Sequence, residues 1–301
     1  MSLFSFKEKI VLLGKIVSLV EIPNDEKILE LALSFGKLAL NDAQAADALY
    51  NAKLYGLSMY HIQQSVEKSA KGFGLLTTAL KPDDLKIVSH NSLLAVLLYL
   101  KSNAPKLIST LDDLSPVFGV IEKFGLINKG EVKIFIENAQ KQVNAGVYDK
   151  LINEIKKSKK NVEMWKATLN LDLNNEIVSS ALKGLQTKNH THDLIIKLID
   201  LLSRIFRNKL SKKDIIKLKI TSILFFNTAS LLLSLSSLTT WHEEETRYPP
   251  TSDQDAYWNP FDYDKKKKLV HFQNTLIDKS KTLSNSIVDA STQAKEYILI
   301  S

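Results

Sequence analysis

An imidazole that moves a proton near neutral pH, beside a cation that offsets charge developing on a phosphoryl oxygen, is the simplest chemistry this sequence offers. The candidate is His90, in Val88-Ser89-His90-Asn91-Ser92, with Lys86 four residues earlier. Lysine lacks the planar fork of donors that makes arginine a phosphate clamp, so the pair is an imperfect one. The competing role for His90 is to cap or pack at a helix entrance. Arginine occurs only at Arg204, Arg207 and Arg247. Arg247 stands beside Tyr248 and the helix-ending Pro249, where it either ties a loop to a helix C-terminus or grips phosphate.

Other chemistries find little support. His190 and His192 are two residues apart, a spacing that does not bring two rings to one helical face, and His242 has no partner four residues away. No metal site is expected, and no cofactor. The absence of cysteine excludes disulfides, thiolate zinc sites and cysteine nucleophiles, and fits a cytoplasmic setting. Glycine-rich phosphate loops and nucleophile elbows are also missing.

The elements that must position these residues are helices. Apolar residues recur at three- and four-residue spacings, and only 10 glycines and 7 prolines interrupt 301 residues. Helices are expected over Leu3–Val20, Asp25–Leu40, Ala43–Leu80, Asp83–Ser102, Gly130–Lys157, Val162–Lys183, His192–Asn208, Lys212–Glu245 and Tyr263–Leu299. Pro23, Pro82 and Pro105 are read as breakers. The lysine-interrupted first segment reads as a helix and not as a leader. Ile220–Trp241 carries no charge and is long enough to span a bilayer, yet its serines and threonines favour a central helix of a bundle, so no membrane contact is expected. The net charge of +7 is almost wholly lysine, which means either a solvated surface or an electrostatic patch for nucleic acid.

Three strings resemble one family. The first is Tyr50-Asn51-Ala52-Lys53-Leu54-Tyr55-Gly56-Leu57-Ser58-Met59-Tyr60-His61-Ile62-Gln63-Gln64-Ser65-Val66-Glu67-Lys68-Ser69-Ala70-Lys71. It is similar to the second helix of HEPN domains, with their Gln-Gln, Glu-Lys and a further lysine. Val88-Ser89-His90-Asn91-Ser92-Leu93-Leu94 resembles the start of the helix that follows there. Thr246-Arg247-Tyr248-Pro249 resembles the aRYP element that precedes the last helix. All three stand in family order and cover about a third of the chain.

The resemblance implies an all-α fold, a HEPN-like antiparallel helical bundle extended by inserted helices. It divides the chain into N-terminal helices (1–40), the bundle (41–100 and 213–299) and a helical insertion or subdomain (101–212). Met59, Ile62, Val66, Ala70 and Phe73 form one apolar stripe of the second helix. Gln64, Lys68 and Lys71 converge on the opposite side, expected to be exposed, where they contact nucleotide or RNA together with Arg247, or else form a solvated face with Glu67 pairing Lys71. The Arg-x4–6-His motif of HEPN ribonucleases is missing, because no histidine follows any arginine at that distance. The family likeness therefore implies RNA or nucleotide binding in a stress, defence or toxin–antitoxin role, as a homodimer. The alternatives are a scaffold partnering a nucleotidyltransferase, and a residual metal-independent ribonuclease using His90.

Overall fold

A computed structural model describes residues 21–88, 91–113, 133, 137, 140–141, 143–157, 162–186, 211–242, 263–264 and 266–300. The protein is all-α, and no strand occurs among the described residues. In chain order the helices are α1 (Glu26–Asn51), α2 (Tyr55–Leu76), α3 (Leu85–Val88), α4 (Ser92–Asp113), α5 (Val147–Lys157), α6 (Val162–Leu169), α7 (Glu176–Gln186), α8 (Lys212–Ser222), α9 (Ala229–Thr239) and α10 (Lys268–Leu299). Short 3-10 turns cover Pro82–Asp84 and Thr240–His242, and a π-helical turn, Ile223–Thr228, joins α8 to α9.

The first break differs from the sequence expectation. The chain runs as one helix through residue 41 and stops at Ala52-Lys53-Leu54, inside the family-like string. Asp25 begins α1 by accepting the Lys27 amide at 2.9 Å, the ordinary service of an N-cap aspartate. At the other end the Leu54 amide reaches the Leu49 carbonyl and the Lys53 amide the Tyr50 carbonyl, both at 2.9 Å. This is the Schellman closure, in which a left-handed residue turns the chain so that amides beyond the helix satisfy its last carbonyls. Lys53, with φ of 63°, takes the place usually given to glycine, so composition gives no warning of the stop.

Pro105 likewise does not end its helix. α4 continues to Asp113 with the proline on an exposed side. In the turns before it, Asn103 Nδ2 donates to Tyr99 O and Ser102 Oγ to Leu98 O, both at 3.1 Å. The expected boundaries at 40/41 and 100/101 therefore both fall inside continuous helices, α1 and α4.

Why α2 lies at the centre is legible in its side chains. Met59, Ile62, Val66, Ala70 and Phe73 are all fully buried, and Phe73 meets Tyr99 of α4 edge-on at 4.7 Å. α2 packs against α1, α10, α4 and α9. Its seam with α10 is made of small residues. Ser65 and Ser69 hydroxyls each lie 3.3 Å from Ser284 Oγ, and a methyl added at Gly72 would stand 2.8 Å from Ile287 Cγ2 and 3.2 Å from the Ala32 carbonyl. Gly36 of α1 meets the same isoleucine, so three helices converge where only hydrogen fits.

The stretch 220–241 folds as part of α8, the π turn and α9. The extra residue of the turn is accommodated by Thr228, whose hydroxyl donates to Ile223 O at 2.9 Å, five residues back. α9 is buried on nearly every side against α7, α2, α4 and α10. No helix among the described residues is long and apolar enough to cross a membrane. From the expected insertion, α6 and α7 place Trp165, Leu169, Val178, Ala181, Leu182 and Leu185 in the same core as α2 and α10, so this part extends the bundle.

Gly72→Ala is expected to destabilise the protein by about 1–3 kcal/mol, the usual cost of overpacking a close helix seam. Chemical denaturation measures it; an unchanged midpoint would mean that α10 yields to the added methyl.

Candidate functional site

The polar side of α2 is not the exposed strip expected from its sequence. Gln64 is buried, and its Nε2 donates to Gln63 Oε1 at 2.9 Å and to Glu67 Oε2 at 3.3 Å. Lys71 Nζ donates to Glu67 Oε1 at 2.6 Å, the i,i+4 pair anticipated as one alternative, with the two side chains only 15% and 4% exposed. A carboxylate so far from water requires a cation and further donors, which Lys71 and Gln64 supply. The expectation fails because helical spacing shows which residues share a side, and neighbouring helices decide whether that side is covered.

Lys68 faces elsewhere. Its ammonium pairs with Asp42 Oδ2 of α1, while Asp42 Oδ1 lies 3.0 Å from His61 Nδ1, one carboxylate thus joining two groups seven residues apart on α2. Side-chain exposures of 30% for His61, 26% for Lys68 and 14% for Asp42 put the cluster at the surface with its carboxylate turned inward. The carboxylate accepts from Nδ1 and so fixes the orientation of the imidazole ring. Tyr60 packs against the His61 ring edge-on at 5.1 Å. Sequence reasoning passed over His61 and Asp42, which are 19 residues apart on different helices; only the antiparallel pairing of α1 with α2 joins them.

His90 and Arg247 lie outside the described residues, as do His190, His192, Arg204 and Arg207. Around the first, Lys86 is exposed, and Asn91 caps α4 by accepting the Leu94 amide at 2.9 Å. Thus the helix entrance has a cap other than His90. No group of three or more metal-ligating side chains occurs among the described residues.

His242 occupies a second polar cluster, this one fully buried. Its Nε2 lies 2.7 Å from Thr168 Oγ1, and Nδ1 lies 2.5 Å from the Tyr263 hydroxyl, which accepts from Trp165 Nε1 at 3.2 Å. Thr168 donates its own proton to the carbonyls of Met164 or Trp165, so it must accept from His242. The ring is then neutral, protonated at Nε2, with Nδ1 accepting from Tyr263. Burial pushes its pKa down from 6.5 to about 3. The cluster fastens α6 to the end of α9 and to the start of the α10 segment. It also brings together His242 and Tyr263, between which the chain carries Arg247. This is a lock of the fold with no solvent access, unlike the cluster on α1 and α2.

The sign of the pH effect follows directly. Below about pH 6.5 the unfolded chain protonates this histidine while the native ring resists down to about pH 3, so native stability falls across that window. A His242→Asn variant lacks this titration. The stability difference between wild type and variant should narrow by about 1.4 kcal/mol per pH unit as pH drops through that window, measured by urea denaturation at each pH. A constant difference would mean that His242 is charged or accessible in the native state.

The chain matches no protein-family model, no curated protein and no solved structure.

Proposed function

We propose that this chain is a HEPN-like protein that binds RNA or a nucleotide, as a homodimer, in a stress, defence or toxin–antitoxin role. The observation that carries the reading is the placement of the Gln-Gln-x-x-Glu-Lys-x-x-Lys string. It lies on the central helix of the bundle, and where that helix meets solvent it presents His61 and Lys68 together, fixed by Asp42. A ring and an ammonium held in place in this way lose little side-chain freedom on meeting a phosphate, which favours binding. Lys71 and Gln64 act from behind, holding Glu67 and so the polar side of α2 in one arrangement. Arg247 is proposed to add a phosphate contact.

A second reading, a scaffold for a protein partner such as a nucleotidyltransferase, has its own support. Five of the lysines are paired with carboxylates on other parts of the chain: Lys101 with Asp149, Lys106 with Glu21, Lys212 with Glu296, Lys281 with Asp47 and Lys295 with Glu30. Pairs of this kind weaken the field a nucleic acid would sense.

Salt separates the two. Binding of a labelled single-stranded RNA, followed by fluorescence anisotropy between 50 and 200 mM salt, is expected to weaken steeply, with a log–log slope of about −0.7 per phosphate contact. Lys68→Gln is expected to weaken binding and to lower that slope by roughly one contact. Affinity that does not respond to salt, or no affinity at low salt, would contradict RNA binding and leave the scaffold reading.

A further inference from the structure

The fixed charges around the cluster on α1 and α2 cancel in pairs, and one group decides what is left over. α2 carries Glu67, Lys68 and Lys71 as its charged side chains besides His61. Lys71 is matched by Glu67 at 2.6 Å, and Lys68 by Asp42 of α1. Two ammoniums thus face two carboxylates, a balance that offers an incoming phosphate no net attraction. What remains is His61, whose Nδ1 lies 3.0 Å from a carboxylate already engaged by Lys68. With a neutral ring the cluster has no net charge. With an imidazolium it has one positive charge, on a side chain that is 30% exposed. Histidine is the side chain suited to make that change between about pH 5 and 8.

The other elements packed on α2 leave this balance in place. From α1 the facing charge is Asp42, and Asp47 is taken by Lys281 of α10 at 2.6 Å. α10 faces α2 with Gln273, Ser284 and Ile287, all uncharged. α9 has no charged side chain. α4 meets α2 through Tyr99 on Phe73, and its Lys101 and Lys106 pair with Asp149 and Glu21. The turn Thr240–His242 brings His242, which is held by Thr168 and Tyr263. On α2 itself Tyr60 meets the His61 ring edge-on at 5.1 Å.

We propose that phosphate binding at this face is proton-linked, with His61 taking up a proton as the anion binds and so supplying the net charge that the paired lysines do not. This rests on the RNA-binding reading above and adds the regulation of that site. Asp42 steadies the imidazolium, while Lys68 on its other oxygen keeps the carboxylate from cancelling the added charge. A ligand that prefers the protonated form draws the proton on, and the proton in turn tightens the ligand, so affinity rises as pH falls.

The test uses the full chain and a labelled oligouridylate, whose bases and phosphodiesters keep their charge between about pH 5.5 and 8, the range in which histidine titrates. Anisotropy at constant low salt is expected to show wild type binding roughly tenfold more tightly at the acid end of that range than at the alkaline end. His61→Gln, which keeps a donor for Asp42, is expected to bind at the weak level throughout. His61→Arg, a cation at every pH, is expected to bind at the tight level throughout. Thermal melts at each pH show that both variants are folded. Calorimetry in buffers of different ionisation enthalpy is expected to find net proton uptake on binding by wild type, and its loss in both variants. Wild-type affinity that does not change with pH overturns the inference and leaves RNA binding standing, as does a pH dependence that survives in His61→Gln. No binding at any pH removes the RNA-binding reading and the inference with it, so the two failures are told apart in one set of samples.

Discussion

The close approach of α1, α2 and α10 is the constraint on which the rest of the molecule depends. Gly36 and Gly72 meet Ile287, and Ser65, Ser69 and Ser284 share one seam. Small side chains let helix axes come together, and in doing so they turn α2 from an amphipathic surface helix into a central one. Once α2 is central, its polar residues can no longer rely on water. Gln63, Gln64 and Glu67 are buried, and each must find a partner inside the protein. The Gln64, Glu67 and Lys71 contacts are that answer.

The same packing creates the surface cluster. α1 runs antiparallel to α2 closely enough for Asp42 to reach His61 and Lys68, two residues that α2 alone would leave unlinked. Rigidity of the seam thus becomes orientation of the imidazole. The contrast with His242 is instructive, because both histidines accept or donate through well-formed hydrogen bonds. Burial holds His242 in its neutral form and away from any ligand, whereas His61 is partly exposed. Of the two, only His61 reaches the surface.

Much of the fold was legible in the sequence because helical periodicity reports directly on packing. The stripe Met59, Ile62, Val66, Ala70 and Phe73 is the core face of α2, and the serine-rich stretch near Leu232 is a central helix. Helix ends were harder. A left-handed Lys53 stops α1 without glycine or proline, and Pro105 stands inside α4 without ending it. The site was least legible. Gln64 and Lys71 meet at Glu67 as their spacing allows while Lys68 turns to Asp42 of α1, and covering by neighbours is a tertiary property. Asp42 and His61 meet across two helices, and Thr168, His242, Tyr263 and Trp165 come from three separate stretches.

The measurement that bears most directly on α2 as the functional helix is photo-crosslinking of bound RNA to the protein followed by peptide mapping. The account predicts that cross-linked peptides centre on Tyr60–Lys71 and the adjoining part of α1 around Asp42. Cross-links confined to the lysines of α8 or the N-terminal turn of α10, with none on α2, would contradict it.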